Sequence, residues 1–215
     1  ENIGKRTGGD IYIGVVGPVR AGKSTFIKRF MDLMVIPNVK NAYEKQRLID
    51  EMPQSGTGRT VMTTEPKFIP ADVAELQISG SLSLKVRMVD CVGYMIPGAL
   101  GQMEDGVMRM VDTPWSDEKI PFEEAAEIGT EKVIREHSTV GIVVTTDGTI
   151  GTLERSSYEA AEEKVIRQLT EMRKPFVIIL NSTEPSSDNA AAVAVKMEEK
   201  YGMPVMRMNC ARAGE

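Results

Sequence analysis

The sequence predicts an α/β fold, a doubly wound and mainly parallel sheet in three layers, and three observations carry that prediction. The first is the octapeptide Gly17-Pro18-Val19-Arg20-Ala21-Gly22-Lys23-Ser24, which fits G-x-x-x-x-G-K-[ST]. It stands between a short β-branched run, Ile11 to Val16, and an apolar stripe at helical spacing, Phe26, Ile27, Phe30, Met31 and Met34. The second is a regular alternation of apolar strand and amphipathic helix between Val140 and Met208. The third is a hairpin signature, residues 74–78 and 82–89 on either side of Ser79-Gly80-Ser81, which adds one antiparallel strand.

Taken in order, residues 11–16 read as a buried strand and the stripe from Phe26 to Met34 as a helix. Residues 37–64 hold Pro, Asn, Gly and charge without sustained periodicity, so they read as a long mobile loop with a short helix around Tyr43 to Ile49. The hairpin follows, with alternation on Leu82, Leu84, Val86 and Met88. Residues 93–121, rich in Gly, Pro and Met, read as a second irregular insertion. An amphipathic helix is expected over 122–137, on Phe122, Ala125, Ala126 and Val133. Beyond it come a strand at 140–145, a helix at 156–172, a strand at 176–180, a helix at 189–201 and a last strand at 205–208. There is no internal repeat. The 215 residues suit one domain over 1–215 with insertions at about 37–64 and 93–121, and the opening on Glu1 reads as a fragment of a longer protein.

Composition narrows the function. With 41% hydrophobic and 27% charged residues the chain reads as soluble and globular. A net charge of -5 and a pI near 5.2 argue against a nucleic-acid partner, because no excess of cations is available to displace phosphate counterions. Two cysteines, Cys91 and Cys210, without C-x-x-C spacing fit a reduced, cytoplasmic compartment. No apolar run approaches the ~20 residues of a transmembrane segment.

The glycine loop carries the chemistry. A strand, a glycine turn and a helix start place backbone N–H groups and the positive end of a helix dipole around an anion. Gly17, Pro18, Val19, Arg20, Ala21, Gly22, Lys23, Ser24 and Thr25 are therefore the expected nucleotide-binding segment. Lys23 would reach the β- and γ-phosphates and the Ser24 hydroxyl would ligate Mg2+. Arg20 reads more readily as a solvated side chain than as an extra phosphate or interface contact. Downstream, Asp90-Cys91-Val92-Gly93 fits D-x-x-G at a strand end. Asp90 there can hold the Mg2+ shell, and Gly93 can bring an N–H close to the γ-phosphate. Between the two motifs, Thr63 or Thr64 at the end of the loop can complete the metal shell and sense the γ-phosphate.

These three loops in this order resemble the translation-factor-related class of P-loop GTPases. That class carries N-K-x-D after its fifth strand, whereas this chain has Asn181-Ser182-Thr183-Glu184. Asn181 is kept, but Ser replaces the ring-packing Lys and Glu184 the base-pairing Asp. A site that loses its base partner forfeits the discrimination which that partner supplied. The departure weakens guanine selection and favours ATP. Tyr94 stands where Ras-like proteins place a water-orienting Gln, and a phenol cannot reproduce that carboxamide geometry.

At the level of whole stretches the chain resembles the amino-terminal ATPase domain of the stage IV sporulation protein A family of endospore-forming bacteria. The strings that carry this are Arg6-Thr7-Gly8-Gly9-Asp10-Ile11-Tyr12, Lys23-Ser24-Thr25-Phe26-Ile27-Lys28, Met62-Thr63-Thr64-Glu65-Pro66-Lys67-Phe68 and Val89-Asp90-Cys91-Val92-Gly93-Tyr94. Two more are Glu124-Ala125-Ala126-Glu127-Ile128-Gly129-Thr130 and Thr145-Thr146-Asp147-Gly148-Thr149-Ile150-Gly151. The resemblance implies an Mg2+-dependent ATPase of the mother-cell cytoplasm that assembles into filaments on the forespore surface, as the base layer of the spore coat. It implies Lys23 as the phosphate-loop lysine, Asp90 as the metal-shell aspartate and Thr63 and Thr64 as sensor threonines. It also implies a homopolymer, other coat morphogenetic proteins and a membrane-associated anchor peptide as partners, the last through later domains with no counterpart here.

The alternative is a GTPase switch that recruits an effector, for instance in ribosome assembly. It needs guanine selectivity and usually a basic face. A vestigial structural fold is the third reading, against which the intact Lys23, Ser24, Asp90 and Gly93 count. Asp147 reads either as a ligand-edge residue or as a turn cap, His137 as a helix-end charge, and Trp115 as a candidate contact for another subunit or local loop packing.

Overall fold

A computed structural model describes residues 10–39, 41–53, 66–79, 82–99, 103–104 and 106–214. Its centre is a six-stranded sheet. Strand β1 (Asp10–Val16) leads into helix α1 (Lys23–Phe30), and α2 (Ala42–Asp50) follows. The hairpin is β2 (Lys67–Ser79) and β3 (Leu82–Asp90). Two small ribbons come next, β4 (Met103–Glu104) with β5 (Val107–Met108), and β6 (Met110–Thr113) with β7 (Ser116–Pro121). The chain continues as α3 (Phe122–Lys132), β8 (Val140–Thr146), α4 (Ser156–Glu171), β9 (Phe176–Asn181), α5 (Asp188–Tyr201) and β10 (Val205–Met208).

The sheet order is β10-β9-β8-β1-β3-β2, parallel throughout except for the antiparallel β2–β3 pair. Its central strands alternate their apolar side chains between two cores, as a sheet covered on both faces requires. Val16, Val89, Val143 and Ile178 face one core, with Phe122, Val133, Tyr158, Val165, Leu169, Ala194 and Met197 from α3, α4, α5 and their flanks. Val15, Met88, Val144 and Ile179 face the other, with Ile27, Met31, Val35, Leu48 and Cys210. The three layers follow from that alternation.

Several elements differ from the sequence expectation, each for a local reason. The helix expected over 122–137 is α-helical to Lys132 and widens into a π-turn at Val133–His137, where the Ser138 hydroxyl donates to the Val133 and Ile134 carbonyls at 2.7 and 3.1 Å. Strand β2 starts earlier than the hairpin pattern indicated and carries a register shift between Ile69 and Ala74, which breaks the period-two signal. The 93–121 insertion, expected to be irregular, holds the ribbons β4–β5 and β6–β7. Their strands are two to six residues long and partly polar, and such segments give weak periodicity. In the 37–64 stretch, α2 forms where expected because Asn41 Oδ1 accepts from the N–H groups of Tyr43 and Glu44 at 2.9 and 3.3 Å.

Candidate functional site

Because β1 lies inside the sheet, flanked by β3 and β8, the loop that leaves it opens at the carboxyl edge where ligands of such sheets bind. Two glycines are required there. Gly17 has φ +138°, and a Cβ on it would lie 2.2 Å from the Val144 carbonyl oxygen of β8. Gly22 has φ +95°, and its Cβ would lie 2.3 Å from Asn181 Nδ2. Gly22 caps α1 without a side-chain bond and no acid stands in the first turn, which leaves the helix start electropositive. Lys23 is 5% exposed, and its Nζ donates to the carbonyls of Pro18 at 2.7 Å and Gly17 at 3.3 Å. Burial pushes its pKa down, against the pull of Cys91 and Asp90. Arg20 is half-buried with φ +66° and its charge acts on Tyr158, so it is not the solvated side chain the sequence reading preferred.

Parallel pairing of β1 with β3 sets Asp90 beside Val15 and delivers it to the first turn of α1. The Ser24 hydroxyl donates to Asp90 Oδ2 at 2.8 Å, while Oδ1 is buried without a hydrogen-bond partner. Desolvation raises the pKa of Asp90 in spite of Ser24 and Lys23. A buried, half-satisfied carboxylate beside a hydroxyl is a donor set that suits a hard cation. Among the described residues no three His, Cys, Asp or Glu side chains could hold a metal by themselves. Any Mg2+ here would therefore take its remaining ligands from phosphate and water, its habitual partners.

Gly93 closes the pocket. Its φ is +90°, and a Cβ would fall 2.1 Å from the Gly17 carbonyl oxygen and 2.5 Å from Lys23 Nζ. The next residue fastens the D-x-x-G segment to the glycine loop: Tyr94 N donates to Gly17 O at 3.2 Å, and Val19 N to Tyr94 O at 2.8 Å. The Tyr94 ring is 1% exposed, its hydroxyl donates to Gln168 of α4, and the Lys164 ammonium lies 5.1 Å from the ring centroid. The side chain is thus committed to packing, which is the physical reason it cannot orient a water. Burial also pushes the Cys91 thiol up to about 11, leaving it neutral, and its Sγ donates to the Val15 carbonyl at 3.2 Å.

On the other side of β1, Asn181 ties three segments together. Its Nδ2 donates to Ala21 O at 3.1 Å and its Oδ1 accepts from Cys210 N at 3.0 Å. Ser182 is fully buried and its Oγ accepts from Glu184 N at 3.1 Å, whereas Glu184 is exposed. Asp147 Oδ1 takes the N–H and the hydroxyl of Thr149, which is a turn cap. Thr63 and Thr64 lie outside the described residues. Trp115 and His137 line a hollow with Pro66, Phe68, Pro114, Lys132 and Glu136, where His137 meets Phe68 edge-on at 5.5 Å between centroids. Sequence reasoning missed Asn209, whose side chain caps the turn after β10, and the pair Arg155–Glu162. An Asn just past a strand end was the available signal for the first, and i,i+7 spacing of opposite charges along a helix for the second.

The model of the family described as stage IV sporulation protein A, ATPase domain, matches residues 1–215. The chain belongs to this family. It is 57% identical over 209 residues to stage IV sporulation protein A of Clostridioides difficile (strain 630), covering 97% of this chain and 43% of that protein. Against the protein of the same name from Bacillus subtilis (strain 168) the identity is 54%, covering 97% and 42%. The chain thus spans well under half the length of these relatives, and corresponds to their ATPase domain. Among solved structures, SsGBP in complex with GDP superposes with a TM-score of 0.52 at 13% identity, over 95% of this chain and 46% of that one. A glycine-to-serine variant of SsGBP gives 0.51 at 14% identity, over 98% and 52%. That likeness bears on the fold alone, a mainly parallel α/β sheet with helices on both faces that is consistent with a P-loop nucleotidase fold.

Proposed function

We propose that this chain, acting as a single domain, binds ATP and Mg2+ along Gly17–Thr25 and hydrolyses the γ-phosphate. We further propose that this cycle drives self-assembly into the filamentous base layer of the spore coat, in the mother-cell cytoplasm at the outer forespore surface. The observation that carries the first step is the Ser24–Asp90 pair, with an unpartnered Asp90 oxygen beside the buried Lys23 and the open start of α1. Family membership supports ATP as the nucleotide, and supports the sporulation role. Relatives more than twice as long supply the segments through which other coat proteins and a membrane-associated anchor would dock. Among the described residues no helix is long and apolar enough to cross a membrane.

Each residue has a part. Lys23 exchanges the Gly17 and Pro18 carbonyls for β- and γ-phosphate oxygens, a trade of two neutral acceptors for charged ones. Ser24, Asp90 and one of Thr63 and Thr64 would hold Mg2+, which when bound neutralises charge on the β/γ oxygens. Gly93 offers its N–H to the γ-phosphate from a position no side chain could share. Asn181 keeps Ala21, and so the loop, in register with the base side of the crevice, where Glu184 stands at the rim. A GTPase switch is the less favoured reading, since Glu184 stands where a guanine-pairing Asp would and the net charge of the chain is -5. The test is phosphate release from Mg2+-ATP by the wild type, Lys23→Ala and Asp90→Asn. Release that falls to background in both variants supports the assignment, and unchanged release in either overturns it for that residue.

A further inference from the structure

A parallel sheet buries both of its faces, because the crossovers that join its strands lie across them. Here the two faces are unequal. On the first, α3, α4 and α5 cover the strands, and Ile178 of β9 and Val205 of β10 are 0% and 8% exposed. On the second, α1 and the π-helical turn Met31–Val35 that extends it rest on β1, β2 and β3. Val177 stands two residues before Ile179, and Met206 is the register partner of Ile179, so both belong to this second face. Yet they are 43% and 53% exposed. Ile13 and Ile142 are only partly buried beside them, and Leu33, 39% exposed, stands on the α1 side. The open strip over β8, β9 and β10 is about 10 Å wide at the usual strand spacing, which is the diameter of one helix.

The residues after β10 enter this strip. Asn209 Oδ1 accepts from the N–H groups of Ala211 and Arg212 at 3.0 and 3.1 Å, which turns the chain back over the second face, where Cys210 is fully buried. Arg29 Nε of α1 then donates to the Ala213 carbonyl at 2.6 Å. Gly214 lies against Leu33, whose Cδ1 would be 3.0 Å from a Cβ built on that glycine. Arg29 and Leu33 are one turn apart, on one flank of α1 and its extension. From Cys210 to Gly214 the chain therefore runs alongside α1 and antiparallel to β10, toward the amino ends of the strands, where Val177 and Met206 are bare. A seven-residue strand such as β8 is about 23 Å long, a distance that a helix of about 15 residues spans.

We propose that the open strip over β8, β9 and β10 is the docking surface of an amphipathic helix, formed by the segment that follows Glu215 in the full-length protein. The relatives are more than twice as long as this chain, so the length is available. The helix lays its apolar side on Val177, Met206 and Ile142, flanks Leu33, and completes the second face of the sheet. A segment tethered a few residues away acts at an effective concentration in the millimolar range, which favours it over a second copy of the chain. This inference is independent of which nucleotide the site takes.

The experiment uses the full-length protein without nucleotide. A diazirine-bearing amino acid is introduced at Met206 and, separately, at Val177, and light and heavy isotope-labelled copies are mixed before illumination. Cross-links are expected within a single isotope label, to residues in the roughly 25 that follow Glu215, at positions three or four apart. Links that join light to heavy copies assign the strip to an interface between chains and overturn the proposal. Links to a distant part of the same chain, or none, overturn it too. Thiol alkylation of Val177→Cys and Met206→Cys supplies a second readout that needs no bulky probe. The proposal predicts native rates at least about tenfold below those in denaturant, and native rates equal to the denatured ones contradict it. Where one position does not fold by circular dichroism, the other decides.

Discussion

Replacing Gly93 by alanine places a methyl group between two parts of the site that touch it already. The new Cβ would lie 2.1 Å from the Gly17 carbonyl oxygen and 2.5 Å from Lys23 Nζ, against 3.4 Å for ordinary contact. The lysine tip can swing aside. The carbonyl cannot, because Gly17 is itself wedged against the Val144 carbonyl and receives the Tyr94 N–H. The D-x-x-G segment or the glycine loop must therefore shift by roughly 1 Å, and a displacement of that size at a reacting centre lowers rate by about 100-fold. Holding alanine at φ +90° adds about 1–2 kcal/mol of backbone strain. In a domain of this size that is a fall in Tm of roughly 2–8 °C. The rate effect thus outweighs the stability effect. Phosphate release measured beside a circular-dichroism melt separates them. Gly93→Ala that turns over ATP within about threefold of wild type would refute the claim that this glycine is there for close approach.

Three further outcomes are expected. Glu162 is 1% exposed and held by Arg155 at 2.5 and 2.8 Å, Thr145 at 2.7 Å and Tyr201 at 2.8 Å; Glu162→Ala should cost about 3–5 kcal/mol in chemical denaturation. The double change Arg155→Met with Glu162→Leu should recover most of that, and no recovery would mean that packing, not the stranded guanidinium, sets the loss. Tyr94→Phe removes only the bond to Gln168, so it should lower stability by about 0.5–1.5 kcal/mol while phosphate release stays within about twofold; a tenfold drop would give the hydroxyl a chemical role. Burial pushes the Cys210 thiol up to about 12. The folded chain then keeps a proton that the unfolded chain loses from about pH 8.5, so stability falls as pH rises above that value. Cys210→Ala should show a shallower alkaline decline, and an identical decline would assign it to other groups.

How much of this was legible from residues alone follows from where the signals are local. Strands 140–146, 176–181 and 205–208 and helices 156–171 and 188–201 are continuous, strongly periodic and bounded by turns, and their predicted limits lie within one residue of the structure. The ribbons at 103–121 were missed because strands this short show no usable alternation, and the early start of β2 because the register shift after Ile69 scrambles it. At the site, the glycine loop is one contiguous motif. The proximity of Asp90 and Gly93 to it is a product of β1–β3 pairing, across more than sixty residues of sequence. The burial of Tyr94 and the bridging bonds of Asn181 are long-range contacts that no spacing rule encodes, whereas the turn cap of Asn209 is local and left only the signal of an Asn just past a strand end. The motif names the phosphate site, and the tertiary structure names its supports.

The central claim is that ATP turnover at Lys23, Ser24, Asp90 and Gly93 gates self-assembly. Sedimentation of the protein with ATP, with GTP, with a non-hydrolysable ATP analogue and without nucleotide, each with Mg2+ and each repeated for Lys23→Ala, tests it most directly. The account predicts a pelleted fraction that appears with ATP, is much smaller with GTP, and is absent from Lys23→Ala under every condition. Equal pelleting of wild type and Lys23→Ala, or pelleting with GTP as readily as with ATP, would contradict it.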